Sequence, residues 1–387
     1  MKEIYFDNSA TTRVTERAAA KAIEAMTVCW GNPSSVHAKG LEAQHLVTEA
    51  RKHLSRALGI KNPRQGQLFF TGSGTEADNM AVSGVLYHKN HRGTPRIITT
   101  DSEHPAIAGP IREAEEKGFE VVRLSTVGGV LDRNELEAVL TPTTVLVSIM
   151  RVNNETGAVY DVGAAFAMVK ERCPDAVTHC DAVQGFLKLG CEPHKLKADL
   201  LSISGHKVGA PKGIGALYCD SELLTKKRIR PILFGGGQEE GYRSGTENVP
   251  GIAAFGEAVA EGLLTQSEDL SRVIAVREAF LAHLPDGVTV NQPCGLYLPH
   301  IISLQVPGIK SEVLVRHLSS EGIYLSAGSA CSSKKLKTST VLTAFGLTPM
   351  QADTTVRISL GRQNTVEEAI DAADAIGRAM KILARIR

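Results

Sequence analysis

The sequence predicts an α/β protein: a doubly wound, mostly parallel sheet followed by a smaller α+β region on the C-terminal side. Three observations predict it. Apolar runs of strand length recur up to about residue 220, at 68–71, 96–100, 119–124, 145–150, 176–180, 198–204 and 215–218. Stretches with helical apolar spacing separate most of these runs, which is the pattern of parallel strands with crossover helices. Polar residues follow the strands directly, and that edge is where doubly wound sheets bind their ligands.

Composition sets the bounds. The chain has 387 residues, 43% hydrophobic and 22% charged, with a formal net charge of +1. That length suits two domains, and the charge balance gives no reason to expect nucleic acid or a membrane surface as a partner. The seven cysteines, at 29, 173, 180, 191, 219, 294 and 331, are odd in number and scattered without a CxxC pair. Reduced thiols in a cytoplasmic protein are therefore expected, without a structural zinc site. Residues 1–7 lack the apolar core of a secretion signal, and no stretch approaches the ~20 apolar residues of a membrane helix.

Taken in order, a short strand at 4–6 leads into the polar turn 7–12, a helix at 15–28, the loop 31–35 and a long helix at 38–58 stopped by Gly59. Strand 68–71 runs into Gly72-Ser73-Gly74-Thr75-Glu76 and a helix start, an arrangement that favours an anion such as phosphate. The spacing is neither a Walker A loop nor GxGxxG, and a plain strand-to-helix turn is the alternative. His104 follows the next strand, Asn154 follows 145–150, and Asp181 and Gln184 follow 176–180. The run 198–204 ends in Gly205-His206-Lys207, before a Gly/Pro loop and strand 215–218. Residues 231–248 form a long Gly-rich segment, of the kind that is usually functional or intersubunit. A helical region at 249–284 and the turn 285–287 lead to strands at 288–291 and 300–305, a helix at 311–321, strand 355–360 and a closing helix at 366–386. No internal repeat or low-complexity tract is evident.

Five strand ends thus carry polar groups, and together they match one cofactor. Lys207, with its stem against apolar neighbours, is expected to be a nucleophilic amine able to bond a carbonyl such as that of pyridoxal 5′-phosphate, although a loop lysine is the alternative. Gly74, Thr75, Ser204 and His206 are candidates for the phosphate. Asp181 suits the pyridine nitrogen, and Gln184 or Asn154 the 3′-oxygen. His104 offers a flat partner that can move protons. A structural histidine and a helix-capping Asp181 remain the plain readings. Cys331 lies in the small polar run 327–333 with Lys334, Lys335 and Lys337 beyond it, a setting that favours a reactive thiolate. Arg357 sits in an apolar strand and needs an anionic partner, either a substrate carboxylate or an internal carboxylate.

These motifs, in this order, resemble the cysteine desulfurases of the NifS/IscS type, within the class V aminotransferase branch of the fold-type I pyridoxal enzymes. The resemblance spans essentially the whole chain. It rests on Tyr5-Phe6-Asp7-Asn8-Ser9-Ala10-Thr11-Thr12, Gly72-Ser73-Gly74-Thr75-Glu76, Glu103-His104, Asn153-Asn154-Glu155-Thr156-Gly157 and Asp181-Ala182-Val183-Gln184. It extends through Ser204-Gly205-His206-Lys207, Arg243-Ser244-Gly245-Thr246, Gly328-Ser329-Ala330-Cys331 and Arg357-Ile358-Ser359-Leu360-Gly361-Arg362. It implies a seven-stranded sheet in a large domain at 15–260, with 1–14 and 261–387 forming a small domain that carries the cysteine loop.

The resemblance also implies roles. Lys207 holds the cofactor and transfers protons, His104 stacks on its ring, Asp181 pairs the pyridine nitrogen, Gln184 meets the 3′-oxygen, and Asn154 lies near cofactor and substrate. Gly74, Thr75, Ser204 and His206 bind the phosphate. Thr246 reaches the phosphate of a neighbouring subunit, making a homodimer the active unit. Arg357 grips the carboxylate of L-cysteine. Cys331 takes the sulfur as a persulfide and L-alanine leaves; Cys331 is also a candidate transient cluster ligand, with no resident metal expected. The sulfur would pass to an acceptor protein, such as an iron–sulfur scaffold or a tRNA-thiolation protein. A selenocysteine lyase or class V aminotransferase is the alternative on this scaffold, and a non-catalytic sulfur carrier is a third. Val208-Gly209-Ala210 stands where the family often has an aromatic pair or Tyr-Gly, which should alter packing and not chemistry. Longer members carry a C-terminal extension that docks an iron–sulfur scaffold, whereas this chain ends at Arg387, leaving the acceptor open. The run 332–341 is long enough for a mobile catalytic loop, as in the general-purpose desulfurases.

Overall fold

The computed structural model describes residues 3–87, 93–328 and 339–383. After a first short strand β1 (Ile4–Tyr5), seven strands organise the larger part of the chain. They are β2 (Gln67–Thr71), β3 (Arg96–Thr100), β4 (Glu120–Leu124), β5 (Thr144–Ser148), β6 (Val177–Asp181), β7 (Leu200–Ser204) and β8 (Gly215–Cys219). They form one sheet in the order β2-β8-β7-β6-β5-β3-β4, and β1 lies outside it. Only β8 runs antiparallel, against both β2 and β7. The expected doubly wound α/β sheet is therefore present. The antiparallel exception has a local cause: the turn after Lys207 is too short for a crossover helix, so β8 returns as the second arm of a hairpin.

The inner strands are buried on both faces, as their near-continuous apolar runs require, whereas the edge strand β4 is largely exposed or half-buried. Every residue of β6, β7 and β8 is buried. One face packs on a core that includes Leu54, Val147, Phe166, Ile203 and Phe255, the other on a core around Met80, Val85, Ile97 and Leu200. Helices Glu16–Thr27 and Ala38–Ala57 lie along the first part of the long helix Val249–Ala282.

A second assembly follows. Strands β9 (Thr289–Val290), β10 (Ile301–Gln305) and β12 (Thr355–Ser359) form an antiparallel sheet in the order β12-β10-β9. Strand β11 (Ile323–Tyr324) pairs in parallel with β1, so the N-terminus is stitched to the C-terminal part. Helices Ser311–Ser320 and Val366–Leu383 cover this region, and its core includes Phe6, Phe280, Leu304, Val356 and Ile376. Asp7 bridges to Ser359 beyond β1, which carries the 7–12 turn to the edge of the main sheet.

Candidate active site

The C-terminal ends of β2, β3, β5, β6 and β7 open onto one cavity of about 430 Å³. Its lining contains Gly74, Thr75, His104, Asn154, Asp181, Gln184, Ser204, His206, Lys207 and Arg357. Ten of the expected site residues are thus brought together from segments far apart in sequence. Thr246 is exposed and does not line this cavity. Cys331 lies outside the described residues.

Each side chain is held by its element. The helix Gly74–Leu86 is capped by Ser73, whose Oγ accepts from Glu76 N at 3.0 Å. First-turn N–H groups of a helix have no partner within it, an arrangement that suits an anion. Gly74 is required by close approach: a Cβ there would lie 3.0 Å from both Ser204 Cβ and Val183 Cγ2. His104 caps the helix Pro105–Glu116, with Nδ1 accepting from Ala106 N at 3.1 Å. Asp181 Oδ1 accepts from Val183 N at 2.9 Å, which turns the carboxyl group at the end of β6. Gln184 Nε2 donates to the Ser9 carbonyl at 3.0 Å, and Lys207 Nζ donates to the Ala10 carbonyl at 2.9 Å. The 7–12 turn therefore positions both residues from outside the main sheet.

Electrostatics follow from burial. Burial pushes the His104 imidazolium down in pKa, opposed by Asp181 and aided by Lys207, so the ring is neutral near pH 7. His206 is pushed down to about 4 by burial and by the charge of Lys207. Burial raises the Asp181 carboxyl, while His104, the Val183 N–H and Lys207 pull it back.

Several site residues were not legible in the sequence. Asp78 and Glu103 also line the cavity, and both are buried. Glu103 Oε1 accepts from Thr100 Oγ1 at 2.7 Å and Met150 N at 2.9 Å, and burial pushes its carboxyl up to about 8. Asp78 is raised by burial and by the nearby Asp181. Behind them His179 is fully buried, with Nδ1 2.9 Å from Ser148 Oγ and Nε2 2.9 Å from Ser202 Oγ. Burial pushes it down to about 3, so it is a neutral strut. Glu155 accepts from Ser339 Oγ at 2.7 Å, and a Cβ on Gly328 would lie 3.4 Å from Glu155 Oε2. Residues 328 and 339 thus converge over Glu155 at the cavity. A His at a strand's inner face and a Glu before a His carry no signal that separates them from ordinary core or cap residues.

For Arg357 the two kinds of anionic partner coexist: the side chain lines the cavity and also pairs with Asp7, Nη2 to Oδ1 at 2.8 Å. It is 3% exposed and its Nε has no partner.

The unsatisfied atoms of the site fit a pyridoxal phosphate. Ser204 Oγ, Gln184 Oε1, Asn154 Oδ1 and Arg357 Nε are buried without a hydrogen-bond partner among the described residues. Buried polar groups are normally paired, so four such atoms around one cavity mark a site built for a polar occupant. A hydroxyl beside a helix N-terminus, an amide beside a carboxylate, and a lysine amine suit the phosphate, the ring heteroatoms and the carbonyl of that cofactor.

The fold and this site define a pyridoxal-dependent enzyme of the transferase kind, and the chain belongs to the class V aminotransferase family, whose model matches residues 4–372. More narrowly, it is similar to a cysteine desulfurase of Trichormus azollae, 39% identical over 96% of this chain and 91% of that protein. A Bacillus subtilis protein described as a putative cysteine desulfurase IscS 1 is 36% identical over 99% of this chain and all of its own length. Among solved structures, a NifS-like protein superposes with a TM-score of 0.90 at 34% identity, covering 99% of this chain and 100% of that one.

Proposed function

We propose that the chain is a pyridoxal phosphate-dependent cysteine desulfurase, converting L-cysteine to L-alanine and passing the sulfur onward through a persulfide on Cys331. The observation that carries this reading is the convergence of Lys207, His104, Asp181, Gln184, Ser204 and Arg357 on one cavity with unsatisfied buried donors and acceptors. Cysteine desulfurases and NifS-like proteins as full-length relatives support it.

The residues divide the work. Lys207 would hold the cofactor through Nζ and carry protons at the substrate's α-carbon. Asp181 would keep the ring nitrogen protonated, Gln184 and Asn154 would meet the ring and substrate oxygens, and Gly74, Thr75, Ser204 and His206 would bind the phosphate. His104, neutral at physiological pH, would stack on the ring and exchange protons through its free nitrogen. Bound there, the cofactor supplies an electron sink that weakens bonds around the α-carbon. Arg357 would bind the cysteine carboxylate. The Cys331 thiolate would take the substrate sulfur and release alanine. Residues 15–260 would form the cofactor domain, with 1–14 and 261–387 carrying the cysteine loop.

The active unit on this reading is a homodimer in which Thr246 serves the partner's phosphate. The exposed position of Thr246, away from its own cavity, supports this, as do the exposed Trp30, Val36 and Phe234. An acceptor protein of iron–sulfur or thiolation pathways would receive the sulfur, in the cytoplasm. Among the described residues no helix is long and apolar enough to cross a membrane. Mass spectrometry of the Cys331 peptide after addition of cysteine tests the function: an added sulfur atom with stoichiometric alanine is expected, and alanine formed with no sulfur on Cys331 would refute the persulfide route.

A further inference from the structure

One buried serine grips the entry to the 7–12 turn. Ser359 ends β12, is 0% exposed, and shares a face of that strand with Arg357. Its N–H donates to the Phe6 carbonyl at 2.7 Å, its carbonyl accepts from Asn8 N at 3.1 Å, and its Oγ accepts from Ser9 N at 2.8 Å. The backbone contacts are those of any strand edge, whereas the hydroxyl contact depends on the side chain. Ser9 is itself buried, and a buried N–H left without an acceptor is costly, so the hydroxyl fixes where Ser9 sits.

The far end of the turn belongs to the lysine loop. Thr12 N donates to the His206 carbonyl at 2.8 Å, and Thr12 Oγ1 accepts from Gly209 N at 2.8 Å. Between these anchors the chain presents the Ser9 and Ala10 carbonyls to Lys207, whose Nζ donates to both, to Ala10 at 2.9 Å. A carbonyl pair favours an ammonium over a neutral amine, because the charged donor makes the stronger hydrogen bonds. Without the Ser9 anchor, residues 11–12 would stay with the lysine loop while the two carbonyls drifted. Asp7 is held separately, by Ser326 Oγ and by Arg357. The other titratable groups around Lys207 are Asp181, His104, His206 and Lys188, and none of them bonds to Ser359.

We propose, on the reading of Lys207 as the cofactor-holding lysine, that Ser359 is a positioning residue for it: the Ser359 hydroxyl sets the place of the two carbonyls that receive the Lys207 amine whenever that amine is not bonded to the cofactor. Ser359 is not on the cavity lining, so it acts through the turn. In turnover the substrate's amine takes the cofactor from Lys207, and the carbonyl pair then orients the released amine for proton transfer.

The test adds pyridoxal phosphate to the full-length, cofactor-free chain and follows its capture by absorbance between about pH 6 and about pH 10. Borohydride reduction and peptide mass spectrometry confirm that Lys207 is the site. Capture needs the unprotonated amine, so its rate rises as the amine titrates. In Ser359→Ala the midpoint of that rise should fall by about one pH unit, because the ammonium loses part of its hydrogen bonding. The plateau kcat for alanine formation should fall about tenfold through misplacement of the amine, with KM for cysteine unchanged because Arg357 keeps Asp7. Ser359→Cys keeps the shape with a weaker acceptor; it should lie between the two, and it carries the test if the alanine variant does not fold. Ser303→Ala is the control. Ser303 is also buried, sits opposite Arg357 on β10, and its Oγ accepts from Asn291 Nδ2 at 3.1 Å. That variant should lose stability without moving the midpoint. One midpoint shared by the parent and the Ser359 variants, or an equal shift in Ser303→Ala, would overturn the inference alone. A parent protein that captures no pyridoxal phosphate at Lys207 would overturn the functional reading and the inference with it.

Discussion

Arg357 already holds a carboxylate before any substrate arrives. Nη2 donates to Asp7 Oδ1 at 2.8 Å, Nη1 donates to the Asn154 carbonyl at 3.0 Å, and Ser326 Oγ donates to the same Asp7 oxygen at 2.9 Å. On the proposed role of Arg357, a cysteine carboxylate would therefore meet a guanidinium that is half neutralised, with Nε as its open donor. Replacing Asp7 by Asn should act in two directions. At 2.8 Å and an effective dielectric of about 20, the attraction between the two charges is about 6 kcal/mol. Desolvation cancels much of this, and breaking a buried pair costs about 3–5 kcal/mol in practice. Asp7 is 18% exposed, so the lower end applies and Asp7→Asn should lose about 3 kcal/mol of stability. The charge left on Arg357 is then available to the substrate. If about half of that loss is recovered on binding, KM for cysteine falls about tenfold. Urea unfolding and steady-state alanine formation measure the two effects on one preparation. A stability loss with KM unchanged or raised would refute the reasoning, because it would mean that the substrate carboxylate does not compete with Asp7 for Arg357.

Further outcomes follow from the same geometry. Ser204→Ala removes a buried hydroxyl that has no partner among the described residues and that on the proposed reading meets the phosphate; it should weaken cofactor binding about tenfold or more, one lost hydrogen bond to a charged group being worth about 1.5–3 kcal/mol; absorbance titration of the apoprotein measures it, and an unchanged dissociation constant would place the phosphate elsewhere. Cys331→Ser should abolish persulfide formation and most alanine release, and full retention of alanine release would sink its assigned role. The pH dependence of stability has two opposed sources in the apoprotein. His179 and His300, pushed down to about 3, make stability fall as pH drops below about 6.5, since only the unfolded chain takes up their protons. Glu103, pushed up to about 8, keeps a proton that the unfolded chain loses above about 4.5, so its contribution declines as pH rises to about 8. Glu103→Gln should therefore lose about 2 kcal/mol less than the parent protein between pH 6.5 and 8 in denaturant titrations. Equal losses in the two proteins would show that Glu103 is ionised throughout.

Much of this molecule is legible because its sheet is buried on both faces. Apolar runs of strand length, each followed by a polar residue, mark β2, β3, β5, β6 and β7 and aim their ends at one edge. The orientation of β8 is less evident, because a buried strand reads the same in either direction; only the short loop after Lys207 tells that the chain must turn back. The cavity-lining residues that the sequence singled out are those whose chemistry is scarce after a strand, such as Lys207, His104 and Asp181. Asp78, Glu103 and His179 escaped because their roles arise from three-dimensional burial. Asp78 looks like a surface residue of a helix until that helix is seen to press this face against the sheet, where it is 1% exposed.

Those buried acids bear on how the cofactor's counter-ion is selected. Asp78, Glu103 and Asp181 all line one cavity, and their mutual repulsion raises the cost of ionising more than one. They differ in what opposes that cost. Glu103 has two neutral donors and Asp78 has the Ser202 hydroxyl, whereas Asp181 has the Val183 N–H together with His104 and Lys207. Asp181 is thus the acid whose surroundings most favour its charged form, while burial opposes ionisation of its two neighbours. On the proposed reading, one negative charge at the end of β6 would serve a protonated ring nitrogen. Additional ionised carboxylates would favour protonation of His104 and take it out of the neutral state in which it can both stack and exchange a proton.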